Sequence, residues 1–240
     1  MNDKIDLPEY LYKYIEPKVE KITNYIEGNS LWAADPNSFN DPFDCFPCID
    51  VSITKEKSAE IFNLRSKKEN IIQNRKNRRR FVTNFQKEIK KDWGSDLKKS
   101  ISWKNTIEKI GVVCLSEVFF DILMWSHYAS NHEGLCIQYS TKEIPINIFE
   151  KVEYLDDRPT FKPFDLRLSM LHGHHRDVLK EFFRKKAANW SYEKEWRYFI
   201  EIKKKTKEDI KKERVIKLNK NSIKGIFFWR KSEQRTYRKG

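Results

Sequence analysis

The sequence predicts an α+β fold: a single domain, 1–240, whose central sheet is mixed or antiparallel, with a basic helical insertion at 56–108. Three observations predict it. Short runs rich in β-branched and aromatic residues recur at YLYKYI (10–15), SLWAA (30–34), GVVCLSEV (111–118), GLCIQYS (134–140), KVEYL (151–155), EWRYFIEI (195–202), RVIKL (214–218) and IKGIFFW (223–229). Between several of them, apolar residues recur at helical spacing. The 16 Phe, 10 Tyr and 7 Trp, against 7 Gly, put the apolar content into large rings that suit strands and pockets better than a helical bundle. A chain of this length buries roughly 70% of the surface its unfolded form exposes, so a core needs no disulfide staples.

Each element follows from local chemistry. After the first strand, Val19, Ile22 and Ile26 recur at helical spacing and Gly28 stops the helix before the second strand. The loop DPNSFNDPFDCFPC is dense in Asp, Asn and Pro, whose side chains and fixed φ hold an ordered turn. From 56 to 92, Ile61, Leu64, Ile72, Phe81, Val82, Phe85 and Ile89 form an apolar stripe, while 65–80 carries eight basic residues and one acidic one. A long basic helix or helical pair fits that pattern. Further helices are expected at 119–130 and at about 166–188, where Leu171, Val178, Leu179, Phe182 and Phe183 share a face.

Charge and motifs narrow the function. The net charge of +13 favours a polyanionic partner, and the run Arg75-Lys-Asn-Arg78-Arg79-Arg80 names nucleic acid as the leading one, with RNA and DNA both open. The N-terminus MNDKIDLPEY lacks an apolar core, and no apolar run approaches the ~20 residues of a membrane span, so a reduced, cytoplasmic protein is expected. Neither a phosphate-cradling GxxxxGK[ST] or GxGxxG loop nor a GxSxG elbow occurs, which argues against classical nucleotide or serine hydrolysis. Cys45 and Cys48 form CFPC without a second CxxC, and His172, His174 and His175 stand without HExxH or an acidic triad, so no metal is expected.

Three stretches join aromatics to carboxylates, amides or imidazole: LWAADPNSFNDPFD (31–44), LMWSHYASNHEG (123–134) and WSYEKEWR (190–197). Aromatic walls with a few fixed polar groups are how proteins build small-molecule pockets. If 190–200 is one strand, Glu193, Glu195 and Arg197 share a face and line a site, while Tyr192 and Trp196 pack behind it. The bland alternative is a cross-strand ladder of exposed ion pairs.

With LYKY, FNDPFD, VVCLS, LMWSHYASNHEGLCIQYS, WSYEKEWR and IKGI in that order, the chain resembles, over nearly all its length, a bacterial family known only as domain of unknown function 2971. It departs from that pattern at Ile15, where an arginine is expected, and at Trp229, where a glycine is expected. More distantly its layout is similar to that of ADP-ribosyltransferases. That resemblance implies NAD as substrate, Glu195 as the catalytic carboxylate and Glu193 as the partner that orients the acceptor. Tyr12, Lys13, Tyr14, Asn40, Asp41, Trp125, His127 and Tyr128 would hold the dinucleotide, with the pyrophosphate contact in question because of Ile15. Arg75, Arg78, Arg79 and Arg80 would draw in nucleic acid as acceptor. A toxin or phage-defence role, with a neutralising antitoxin protein as partner, would suit such an activity. The competing readings are a metal-dependent nuclease and a non-enzymatic nucleic-acid-binding module.

Overall fold

A computed structural model describes residues 7–52, 54–71, 73–93, 95–144, 149–166, 175–204 and 206–230. Strand β1 (Tyr10–Ile15) leads through α1 (Val19–Ile22) and a wide helical turn (Thr23–Glu27) into β2 (Ser30–Trp32) and β3 (Cys48–Ile49). The helices α2 (Lys55–Lys68), α3 (Arg75–Trp93) and α4 (Asp96–Ile107) follow. Next come β4 (Ile110–Ser116), α5 (Ile122–Tyr128), β5 (Leu135–Ser140), β6 (Glu150–Lys151), β7 (Glu153–Leu155) and β8 (Thr160–Phe161). The chain ends with α6 (His175–Phe183), β9 (Lys185–Ala187), β10 (Glu195–Glu201), α7 (Lys207–Glu213), β11 (Val215–Lys217) and β12 (Ile223–Phe228).

The expected α+β class holds. Six strands pair in the order β12–β5–β1–β4–β10–β6, and every pairing in this sheet is antiparallel. Alternation along β1 sends Leu11 and Ile15 into one apolar cluster with Val113, Leu115, Ile137 and Trp196, and sends Tyr14 into another with Trp125 and Cys136. A third cluster packs Trp103 and Ile107 of α4 against Phe161, Phe182, Phe183 and Cys45. Ile61 and Phe85 meet Phe164 in a fourth, which ties α2 and α3 down through the apolar stripe seen in the sequence.

The sheet opens in its middle. β1 pairs with β5 at six positions and β4 with β10 at seven, but β1 touches β4 only at Tyr12 opposite Ser116. Beyond that point Ala34 takes over the edge of β4, exchanging both backbone hydrogen bonds with Val112 at 2.8 and 2.9 Å. The two strands therefore part like a wedge, and Lys13 Nζ crosses the gap to donate to Cys114 O at 2.9 Å.

Two expectations need correction. The helix expected to run to residue 188 ends at Phe183, and 185–187 instead forms β9, parallel to β7. Lys186 is drawn inward by buried carboxylates, an interaction between distant segments that helical periodicity does not encode. The segment 190–200 is not one strand: residues 188–193 form a tight helical turn, Lys194 adopts a left-handed conformation with φ 42°, and the strand begins only at Glu195. The helical segment after α1 ends at Gly28, as expected, and the next residue, Asn29, turns left-handed at φ 42° with its amide anchored to Leu218 O and Asn219 O at 3.1 and 2.8 Å. His172 and His174, with Ile72 and Leu171, lie outside the described residues.

Candidate active site

A cavity of about 520 Å³ occupies the wedge between β1 and β4. Its wall is built from β1, which gives Tyr12, Lys13 and Tyr14, and from all three unusual stretches: Phe39, Asn40 and Asp44 from the FNDPFD loop, His127 and Tyr128 from α5, and Glu193 and Glu195 from the last stretch. The loop is fixed by its own side chains. Asp35 accepts from Asn37 N–H at 2.9 Å and Asp41 accepts from Phe43 N–H at 2.8 Å. α5 begins at Asp121, whose carboxylate caps Met124 N–H at 3.0 Å and so sets the helix that carries His127 and Tyr128.

At the base of the cavity lies a buried charge cluster. The Arg197 side chain is 0% exposed, and all five of its N–H donors are spent: Nε and Nη2 on Glu195, Nη1 and Nη2 on Asp44, and Nη1 again on Phe183 O, at 2.7–2.9 Å. Lys186 Nζ reaches Glu193 at 2.5 Å, Glu195 at 3.2 Å and Asp44 at 3.3 Å. The remaining oxygen of Glu193 accepts from Tyr128 Oη at 2.5 Å, and Tyr128 in turn accepts from Asn40 Nδ2 at 3.4 Å. Tyr154 Oη accepts the Glu195 backbone N–H at 2.8 Å. Such a cluster survives burial only because its charges are paired and hydrogen-bonded. An exposed salt-bridge ladder is therefore excluded.

Its two glutamates are pushed in opposite directions. For Glu193, burial dominates over the attraction of Lys186, and with the repulsion of Glu195 added its pKa is pushed up to about 7. Burial acts on Glu195 too, but the charges of Arg197 and then Lys186, with the hydrogen bonds from Arg197, overcome it and hold this carboxyl well below the usual range. Burial would lower Lys186, yet Glu195 and Asp44 raise it well above an ordinary lysine, so it stays an ammonium and not a free amine nucleophile. Burial also pushes the thiols of Cys45 and Cys114 up, which removes thiolate chemistry from the site.

The positions of the sequence candidates are now plain. Tyr12, Lys13, Tyr14, Asn40, His127, Tyr128, Glu193 and Glu195 share one wall. Asp41 and Trp125 are off it: Asp41 closes its turn, and Trp125 donates to Phe119 O at 3.0 Å and packs edge-on against Tyr14. Arg197 sits beneath the carboxylates, not on the surface facing the cavity. Arg75, Arg78, Arg79 and Arg80 are exposed at the start of α3. Sequence reasoning missed Asp44, Lys186 and Tyr154. Asp44 was within reach, since it closes the same FNDPFD motif; Lys186, in a basic run, gave no signal. Among the described residues no group of three or more His, Cys, Asp or Glu could hold a metal ion, and Lys186 takes the place a cation would need among the three carboxylates.

Residues 124–198 match the family model described as "Protein of unknown function (DUF2971)". The chain's resemblance to that family thus rests on the segment from α5 to β10, which carries Tyr128, Lys186, Glu193, Glu195 and Arg197. β1 and the FNDPFD loop complete the cavity from outside the DUF2971 segment. No curated protein and no solved structure matches the chain. Among the described residues no helix is long and apolar enough to cross a membrane.

Proposed function

We propose that the chain is an NAD-dependent ADP-ribosyltransferase-like enzyme that modifies nucleic acid. The observation that carries this reading is the pair of glutamates under one cavity, Glu193 titrating at about 7 and Glu195 kept ionised, since carboxylates driven apart in this way divide acid–base and electrostatic work between them.

Cleavage of the glycosidic bond of NAD sends nicotinamide away with the bonding electron pair and leaves positive charge on the ribose. A carboxylate already in place stabilises that charge. The acceptor then bonds to the ribose carbon and surrenders its proton. Glu193 suits this work better than Glu195: it bonds Tyr128 on the cavity wall, and its pKa lets it take up a proton near neutrality. Both Glu195 oxygens are committed to Arg197, and one also to Lys186, so Glu195 acts as a positioning residue that fixes the ammonium beneath Glu193. Tyr12 and His127 offer ring surfaces to the dinucleotide. Lys13 keeps two ammonium donors beyond its bond to Cys114 O and takes the pyrophosphate, a role closed to position 15 because Ile15 is buried in the core. The exposed arginines of α3 attract the acceptor's phosphates. A toxin or phage-defence component would use such an activity.

Incubating the purified protein with NAD, with and without RNA or DNA, and measuring free nicotinamide and labelled ADP-ribose on the nucleic acid tests the proposal. Release is expected, with Glu193→Gln lowering it by about 100-fold or more. No release in any mixture refutes the transferase, and metal-dependent cleavage of the nucleic acid replaces it with the nuclease reading.

A further inference from the structure

A run of aromatic rings leads out of the cavity onto the surface. Tyr12, on the cavity wall, lies 5.5 Å from Phe119, which lies 6.4 Å from Phe120. Phe120 stacks on Trp229 at 5.5 Å with the ring planes 15° apart. His132 closes the run 4.6 Å beyond. Phe120 is 71% exposed and Phe119 43%, and Ile122 and Leu123 continue the apolar surface onto α5. Large exposed rings cost free energy unless something covers them.

We propose that this ledge is a stacking platform for the unpaired bases of a single-stranded nucleic acid. Three features choose that occupant. The ledge is made of nearly parallel and tilted rings, which accept any base by its π-face. A cation borders it, since exposed Arg230 directly follows Trp229, and the chain as a whole carries a net charge of +13, which attracts a polyanion. Finally, the run is continuous with the cavity through Tyr12, so a base stacked on Phe120 holds the neighbouring nucleotides at the cavity mouth. A duplex hides its base faces and gains nothing from the platform.

The inference deepens the nucleic-acid half of the proposed function and is tested without NAD. Affinity of the full chain for a fluorescein-labelled 12-nucleotide oligouridylate, and for a labelled duplex of the same length, is measured over a salt series for the wild type, Phe120→Ala and the triple variant Arg78→Gln/Arg79→Gln/Arg80→Gln. Phe120→Ala is expected to weaken single-strand binding by about 5- to 150-fold, with the salt slope and the duplex affinity kept within about twofold. The arginine variant should weaken both ligands and flatten the slope. Phe120 is so exposed that its loss should leave the fold intact, which an unchanged melting temperature checks. The proposal is overturned if Phe120→Ala binds the single strand like wild type, if it weakens duplex binding equally, or if wild type binds no single strand. It is also overturned if sedimentation shows a dimer that Phe120→Ala dissociates, which would assign the ledge to a second copy of this chain.

Discussion

Replacing Glu193 by glutamine removes one charge from a cluster in which Asp44, Glu193 and Glu195 face Lys186 and Arg197. Ionised Glu193 leaves that group with three negative charges against two positive ones, whereas glutamine leaves it balanced. Because the pKa of Glu193 rises from 4.5 to about 7 on folding, the folded chain binds this proton more tightly than the unfolded one. The resulting stability is complete below the unfolded pKa and is lost as pH rises through the folded one, at about 1.4 kcal/mol per pH unit and about 3 kcal/mol in all. Urea unfolding of wild type and Glu193→Gln in parallel at pH 5, 6, 7, 8 and 9 measures it. The stability of the variant relative to wild type should climb by about 1 kcal/mol per unit from pH 5 to 7 and level off above pH 8. A difference flat to within about 0.5 kcal/mol, or one of opposite slope, would refute an elevated Glu193.

Glu195→Gln should behave in the opposite sense: its depressed pKa means that its contribution is present above the unfolded pKa and lost only in strong acid, so at pH 7 the variant should lose about 3–5 kcal/mol, read as a lower urea midpoint. Gly134→Ala would place a Cβ 2.2 Å from Ile15 O and 2.9 Å from Ala129 Cα, backbone atoms that cannot yield as a flexible side chain does, and should cost about 3 kcal/mol or more by thermal melting. Converting Arg75, Arg78, Arg79 and Arg80 together to glutamine should leave the melting temperature unchanged, since all four are exposed, while reducing the log–log salt slope of duplex binding by about 3 to 4.

Much of the sheet was legible because local chemistry and burial agree there. The run YLYKYI is β-rich in itself and half-buried in place, and GVVCLS, LCIQYS and IKGIFF likewise became β4, β5 and β12. The candidate site was legible only in part. Aromatic and polar residues clustered in three stretches pointed to Asn40, Tyr128 and Glu193 because such mixtures are unusual within a strand or loop, whereas Tyr12 entered only through the resemblance. Asp41 and Asp44 look alike in FNDPFD, and only folding separates a turn cap from the carboxylate beside Arg197. The period-two argument placed Glu193 on the face of Glu195 through a strand that does not exist there; the two meet because Lys194 turns left-handed and Lys186 draws both in.

The sequence by itself determined the α+β class, the β-rich runs, the positive charge and the exposed arginines of α3, all of which follow from residue type and spacing along the chain. Tertiary structure decided where the sheet opens, which carboxylate titrates near neutrality, and that Arg197 lies beneath the cavity with every donor spent. Those outcomes depend on burial and on charges brought together from positions 44, 186, 193, 195 and 197, and electrostatics at such distances is set by the folded geometry.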